Sequence, residues 1–247
     1  TAGSAVADYQ ISMGSLVASN PGNYSLQLGT ENYAITRKPI MVTATAVSQV
    51  YGDTDPVSLP YTLSAPLATG DSFTGKLART AGTAVGSYPV NQGDLALGSN
   101  YDLNFTAADL TITPKAIVIT AVSKAKNYGE NDPAFEYNFS PLVSPDVITG
   151  TLTRIPGENV GTYNFELGTL NAGTNYTLNL SPLPQFTINN STITVTPITA
   201  SIQYGDAEPV IGYNFTPALK TGDAFTGALA RAPGNTPNSY LINQGTL

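Results

Sequence analysis

The sequence predicts an all-β chain of tandem modules, with at most a short helical turn in each. Three observations predict it. The hexapeptides YGDTDP at Tyr51, YGENDP at Tyr128 and YGDAEP at Tyr204 recur about 77 residues apart, the period of a repeated supersecondary unit. Apolar and polar residues alternate at period two, as Ile40, Val42 and Ala44 do against Met41, Thr43 and Thr45, which is the pattern of a half-buried strand. The composition is rich in Thr, Ser, Asn, Gly, Pro and Tyr and poor in the Lys, Glu and Arg that sustain helices.

Each unit opens on a strand: Ile40, Val42 and Ala44 in the first and Ile117, Ile119 and Ala121 in the second. After the hexapeptide turn comes a second strand, carried by Leu59, Tyr61 and Leu63, by Phe135, Tyr137 and Phe139, and by Ile211, Tyr213 and Phe215, whose side chains are expected to face one core. A block Asp-x-x-Thr-Gly-x-Leu-x-Arg follows, placing Asp71 with Arg79, Asp146 with Arg154 and Asp223 with Arg231. The stretches leading into those aspartates are the only places where a helical turn fits. Next come a Tyr strand (Tyr88, Tyr163, Tyr240) running to a Gly-x-Leu, an Asn-Tyr strand (Tyr24 and Leu26, Tyr101 and Leu103, Tyr176 and Leu178), and a closing strand ending Leu110-Thr111-Ile112 or Phe186-Thr187-Ile188. That makes about six strands per unit.

Tyr9, Gly14 and Leu16 repeat the Tyr, Gly and Leu spacing of Tyr88, Gly93 and Leu95, so the N-terminal residues read as the end of an earlier unit. The chain parses as residues 1–37, the C-terminal part of one repeat; 38–114 and 115–190, two complete repeats; and 191–247, a truncated one. Its expected origin is a piece of a longer array. Closing strands run through TITPKAIVIT straight into the next opening strand, and Pro114 favours extension, so a semi-rigid rod is expected. Alternation does not reveal strand order, and β-grasp-like modules and immunoglobulin-like β-sandwich repeats both fit.

The chain has no His, no Cys and no Trp, and so lacks the commonest general base, the commonest metal ligands and the readiest nucleophile. The expectation is no catalysis and no cofactor. With 10 Lys+Arg against 17 Asp+Glu the surface has the wrong sign for phosphates or anionic lipid, which argues against nucleic acid and membrane contact. No apolar run approaches the roughly 20 residues that span a bilayer.

The YGD and YGE hexapeptides, the GDxFTG block, the VGxY strands at Val85–Tyr88 and Val160–Tyr163, and the Asn-Tyr strands at Asn100 and Asn175 together resemble the MBG-type repeats of the kind named for its Tyr-Gly-x motif, related to mucin-binding-protein modules. The resemblance covers nearly the whole chain. It implies a compact β-grasp-related fold, an extracellular location on a bacterial surface, and a role in a large adhesin. The repeats would then either space an adhesive tip as a stalk or bind mucin and surface glycans multivalently. The last unit departs from the pattern, with NTPNSY where VGxY is expected.

The acidic pairs Asp53/Asp55, Glu130/Asp132 and Asp206/Glu208 lie two apart in all three hexapeptides, which makes them candidates for calcium. Against this, two or three carboxylates fall short of the six to eight oxygens that Ca²⁺ takes. The alternative is a solvated turn in which Gly supplies the φ and the first acid bonds the local backbone. The Asp/Arg pairs of the Thr-Gly block are candidates for sugar contact; the structural alternative has the Asp capping a helical turn and the Arg packing its stem. Phe73 and Phe225 stand outside the alternating register and are the aromatics placed to meet a ligand. An internal Lys–Asn bond would need a Lys at a fixed place, where Lys38 and Lys115 align but the third unit has Ser191. Partners expected beyond glycans are neighbouring repeats, including head-to-tail strand exchange between chains.

Overall fold

A computed structural model describes residues 4–247. Its strands are β1 (Ala7–Gln10), β2 (Asn32–Ile35), β3 (Lys38–Ala44), β4 (Val47–Val50), β5 (Tyr61–Leu63), β6 (Ala78–Arg79), β7 (Gly86–Asn91), β8 (Tyr101–Thr106) and β9 (Ala108–Thr113). They continue as β10 (Lys115–Ala121), β11 (Ala125–Asn127), β12 (Tyr137–Phe139), β13 (Thr153–Arg154), β14 (Gly161–Tyr163), β15 (Phe165–Glu166), β16 (Tyr176–Leu180) and β17 (Phe186–Asn189). The last are β18 (Thr194–Pro197), β19 (Tyr213–Thr216), β20 (Ala230–Arg231) and β21 (Ile242–Asn243). The chain is all-β. Among the described residues the helical segment is a single 3₁₀ turn, Pro21–Asn23. The stretches before Asp71, Asp146 and Asp223 form hydrogen-bonded turns instead of helical ones, each closed by an amide-to-carbonyl bond three residues back, as from Asp71 to Ala68.

Two compact units are present. One runs through Ile117 and takes in Leu142–Val147 and Ala172–Thr177; the other comprises Val118–Pro141, Ile148–Asn171 and Leu178–Leu247.

The first repeat shows the topology most fully. β3 and β4 are one strand bent near Thr45, and β8 and β9 one strand bent near Ala107. The two pair in parallel with the same offset on both sides of the bend, Lys38 opposite Tyr101 and Val47 opposite Leu110. β5 adds antiparallel to β3, and β7 followed by β6 adds antiparallel beyond β9. Opening and closing strands thus lie side by side and parallel at the centre, the central pair of a β-grasp sheet. The two sheets of an immunoglobulin-like sandwich are built from antiparallel strands.

Alternation determines what is buried. Ile40, Val42 and Ala44 of β3 point inward and join Leu77, Val90, Leu95, Tyr101, Leu110 and Ile112 in one cluster, while Met41 stays exposed. Each fully buried aliphatic side chain contributes about 1.5–3 kcal/mol. The second repeat repeats the pattern with Ile117, Ile119 and Ala121, and its orders are β12-β10-β16 and β11-β17-β14. The second strand follows expectation only in part. Leu59 and Tyr61 pack on the core, but Leu63, Phe139 and Phe215 lie at the sheet margin and are exposed. In the third repeat β18 pairs β19 and β20 pairs β21.

Two recurring blocks owe their sequence to one close approach. Gly75 has φ +70° and Gly93 φ +59°, values that L residues rarely adopt. A Cβ on Gly75 would lie 2.1 Å from the Asp94 carbonyl oxygen, and one on Gly93 would lie 2.5 Å from that of Lys76. The Thr-Gly and Gly-x-Leu blocks therefore clasp backbone to backbone, burying Leu77 and Leu95. Gly150 stands equally close to Thr169 in the second repeat, and Gly227 to Thr246 in the third.

Candidate functional site

The recurring polar residues converge on the arginine of each repeat. The hexapeptide forms a turn with glycine at its third position, Gly52 and Gly129 at φ +89° and Gly205 at φ +96°, closed by amide-to-carbonyl bonds from Asp53 to Val50, Glu130 to Asn127 and Asp206 to Gln203. The first acid bonds the local backbone: Asp53 Oδ2 accepts from the Val50 amide at 3.2 Å and Glu130 Oε2 from the Asn127 amide at 2.7 Å.

The second acid turns to the arginine. Arg79 donates through Nε and Nη2 to both oxygens of Asp55 at 2.8 and 2.9 Å, Arg154 likewise to Asp132 at 2.6 and 2.9 Å, and Arg231 through the same two nitrogens to Glu208. Such two-point pairing needs the planar guanidinium fork. The Asp71/Arg79, Asp146/Arg154 and Asp223/Arg231 candidates for sugar contact are not bonded to each other. The arginine reaches back to the hexapeptide, and Asp71 and Asp146 accept from the Tyr101 and Tyr176 hydroxyls at 2.6 and 2.7 Å. They cap no helix.

A tyrosine completes the arrangement. Tyr88, Tyr163 and Tyr240 lie under the guanidiniums at 5.0, 5.0 and 4.7 Å, in cation–π range. Each ring presses on a glycine six residues earlier, so that a Cβ on Gly82, Gly157 or Gly234 would meet it at 2.0–2.2 Å. Each hydroxyl donates to the carbonyl four residues back, at Ala84, Asn159 and Thr236. Tyr9 does the same with Ala5. Despite its NTPNSY sequence, the third repeat keeps the whole device. Sequence reasoning had both the arginine and the tyrosine in register but not their contact, because nothing in strand alternation says which strands become neighbours.

The repeats differ in charge around this centre. In the second, Lys126, only 5% exposed, donates to Asp132 at 2.7 Å and Glu158 at 2.6 Å, and Glu158 also meets Arg154. In the first the equivalent of Lys126 is Gln49, which donates to Asp55 at 3.0 Å and leaves its own Oε1 buried without a partner. In the third it is Ile202. The Arg79 hydrogen bond, assisted by Gln49, holds the Asp55 carboxyl below the usual range, and Arg154 does the same for Asp132. Glu158 is lowered chiefly by Lys126. Burial alone would lower Lys126, but Asp132 and Glu158 outweigh it and hold the ammonium above its ordinary value.

The calcium candidates are therefore divided: Asp53 and Glu130 bond backbone, Asp206 sits in the turn, and Asp55, Asp132 and Glu208 bond guanidinium. Among the described residues no three carboxylates group closely enough to share a metal ion. Phe73 and Phe225, expected to face a ligand, instead pack edge to face on Tyr61 at 5.6 Å and on Tyr213 at 5.7 Å, because the chain folds the Thr-Gly block back over the second strand. Lys38 donates to the Pro66 carbonyl at 2.7 Å.

The family model of the MBG domain (YGX type) matches residues 40–111, 117–182 and 193–247, most of the chain. The chain belongs to the MBG domain (YGX type) family. Comparison with curated proteins and with solved structures finds no match. MBG repeats are adhesin-type, non-enzymatic modules typical of surface proteins, and this chain is a tandem MBG repeat region of that adhesin-like kind. Among the described residues, no helix is long and apolar enough to cross a membrane. The Tyr-Gly-x signature of the MBG family here supplies a turn whose next acid grips the arginine of the same repeat.

Proposed function

We propose that these MBG repeats form the spacer of a large bacterial surface adhesin, outside the cell, holding an adhesive element away from the surface that carries it. The observation that carries this reading is where the recurring polar atoms go. Arg79, Arg154 and Arg231, the acids they grip and the tyrosines beneath them all serve their own repeat. A ligand site shared by the repeats would hold some recurring polar group clear of the protein's own bonds. Residues at the surface turns, such as Ser58–Pro60 and Leu142–Pro145, differ freely between units.

The test is binding of the whole chain to immobilised mucin and to a glycan panel. No saturable signal is expected. Saturable, glycan-selective binding, competed by free sugar, would overturn the spacer reading and make each repeat an adhesive unit multiplied by avidity.

A further inference from the structure

We propose that the tyrosine of each Tyr-Gly-x hexapeptide is a latch onto the following repeat, so that the motif naming the family joins neighbouring modules as well as turning the chain. This is independent of whether the repeats space or bind.

The full set of contacts lies inside the first compact unit. Tyr51 of the first repeat donates its hydroxyl to Asp146 Oδ2 of the second at 2.9 Å, the same oxygen that accepts from Tyr176 at 2.7 Å. The two rings meet edge to face at 5.3 Å. Asn175, next in sequence to Tyr176, accepts on its Oδ1 from the Val85 amide of the first repeat at 2.9 Å. The Asn-Tyr pair of one repeat thus takes hold of two points on the repeat before it. Gly52 seats the turn: a Cβ there would lie 2.4 Å from Val143 Cγ2.

The arrangement recurs. In the second compact unit Tyr128 faces the third repeat: Lys220 Nζ lies 5.1 Å from its ring centroid, and the neighbouring Asp223 carboxylate raises its hydroxyl pKa above the ordinary tyrosine value. At the start of the chain the Val6 amide donates to Asn100 Oδ1 at 3.0 Å, as Val85 does to Asn175, while Asp71 already accepts from Tyr101. Asp71 and Asp146 therefore recur for a reason separate from the arginine of their block: each accepts the tyrosine hydroxyl of its own Asn-Tyr strand, and Asp146 shares that oxygen with Tyr51 of the repeat before. Neighbour-to-neighbour coupling of this kind raises the stability of an array above the sum of its members.

The test is Tyr51→Phe in the full chain, read by amide hydrogen exchange. The variant keeps the ring and removes only the hydroxyl that crosses the join. Val85, whose amide bond to Asn175 exists only while the join is closed, should exchange about tenfold faster or more, the worth of a hydrogen bond to a charged group. Ile112 in the first core and Ile119 in the second should keep their rates. Unchanged exchange at Val85 would overturn the latch. Equal acceleration at Val85, Ile112 and Ile119 would also overturn it, since the hydroxyl would then serve folding as a whole and not the join.

Discussion

Replacing Arg154 by alanine tests the arginine centre where the structure makes it heaviest. Arg154 is 8% exposed and donates to Asp132 twice, to Glu158, and to the carbonyls of Ile155 and Gly157, with its guanidinium 5.0 Å from both Tyr163 and Phe186. Each of the two Asp132 bonds is worth about 1.5–3 kcal/mol as a hydrogen bond to a charged group. Glu158 is half exposed and rehydrates, and Asp132 keeps Lys126, so neither charge is stranded. The expected cost is about 3 kcal/mol, the lower end for two lost hydrogen bonds to a charged group, since no charge is left buried alone. In the first repeat Asp55 is 47% exposed in its side chain, and Arg79→Ala should cost only about 1 kcal/mol. Hydrogen exchange of the β14 and β17 amides reads the first loss, and that of β7 and β9 the second, in the intact chain. Arg154→Lys should recover less than half, because an ammonium cannot fork onto a carboxylate. A cost below about 1 kcal/mol for Arg154→Ala, or full recovery by lysine, would refute the claim that the guanidinium fastens the repeat.

Four further outcomes are expected. Gly150→Ala puts a Cβ 2.1 Å from the Thr169 carbonyl at φ +89°, and should lower the denaturation midpoint of the second repeat by more than the roughly 1 kcal/mol of a mid-strand glycine exchange. The folded-state pKa values of Asp55, Asp132 and Glu158 are depressed, so their contribution is full above the unfolded carboxylate range near pH 4 and is lost as pH falls through the folded values. An acid titration followed by circular dichroism should therefore unfold the chain below about pH 4, and 0.5 M salt should shift that midpoint. Gln49→Lys with Thr83→Glu, which rebuilds in the first repeat the Lys126 and Glu158 pair of the second and removes a buried unpartnered oxygen, should raise its stability by about 1 kcal/mol, with most of the gain requiring both changes in a double-mutant cycle. Thermal midpoints with calcium and with a chelator should coincide, given how Asp55, Asp132 and Glu208 are engaged; a rise with calcium would restore the hexapeptide acids as ligands.

The strands were legible because period-two alternation is a local signal: Ile40, Val42 and Ala44 announce their burial without knowledge of any neighbour. The Tyr-Gly turn was legible for the same reason. What the sequence withheld was long-range. Asp71 and Arg79 stand eight apart, and proximity in the chain suggested a pair, yet the clasp at Gly75 and Gly93 carries Arg79 toward Asp55 and leaves Asp71 to Tyr101. Phe73 looked free because it broke alternation, but a residue on a returning loop packs by shape and not by period. The parallel pairing of β3 with β8 was likewise invisible, since alternation reports faces and not partners.

That pairing has a mechanical consequence. With the first and last strands of a repeat adjacent and parallel, the chain enters at one end of the sheet and leaves at the other. Tension along the chain then drags the two strands past each other in opposite directions, loading the whole ladder from Lys38 and Tyr101 to Val50 and Thr113 at once instead of peeling it bond by bond. Such a shear-loaded ladder yields only when many bonds fail together, so pulling on the termini should meet a higher, more abrupt resistance than prying the sheet open from its β5 edge.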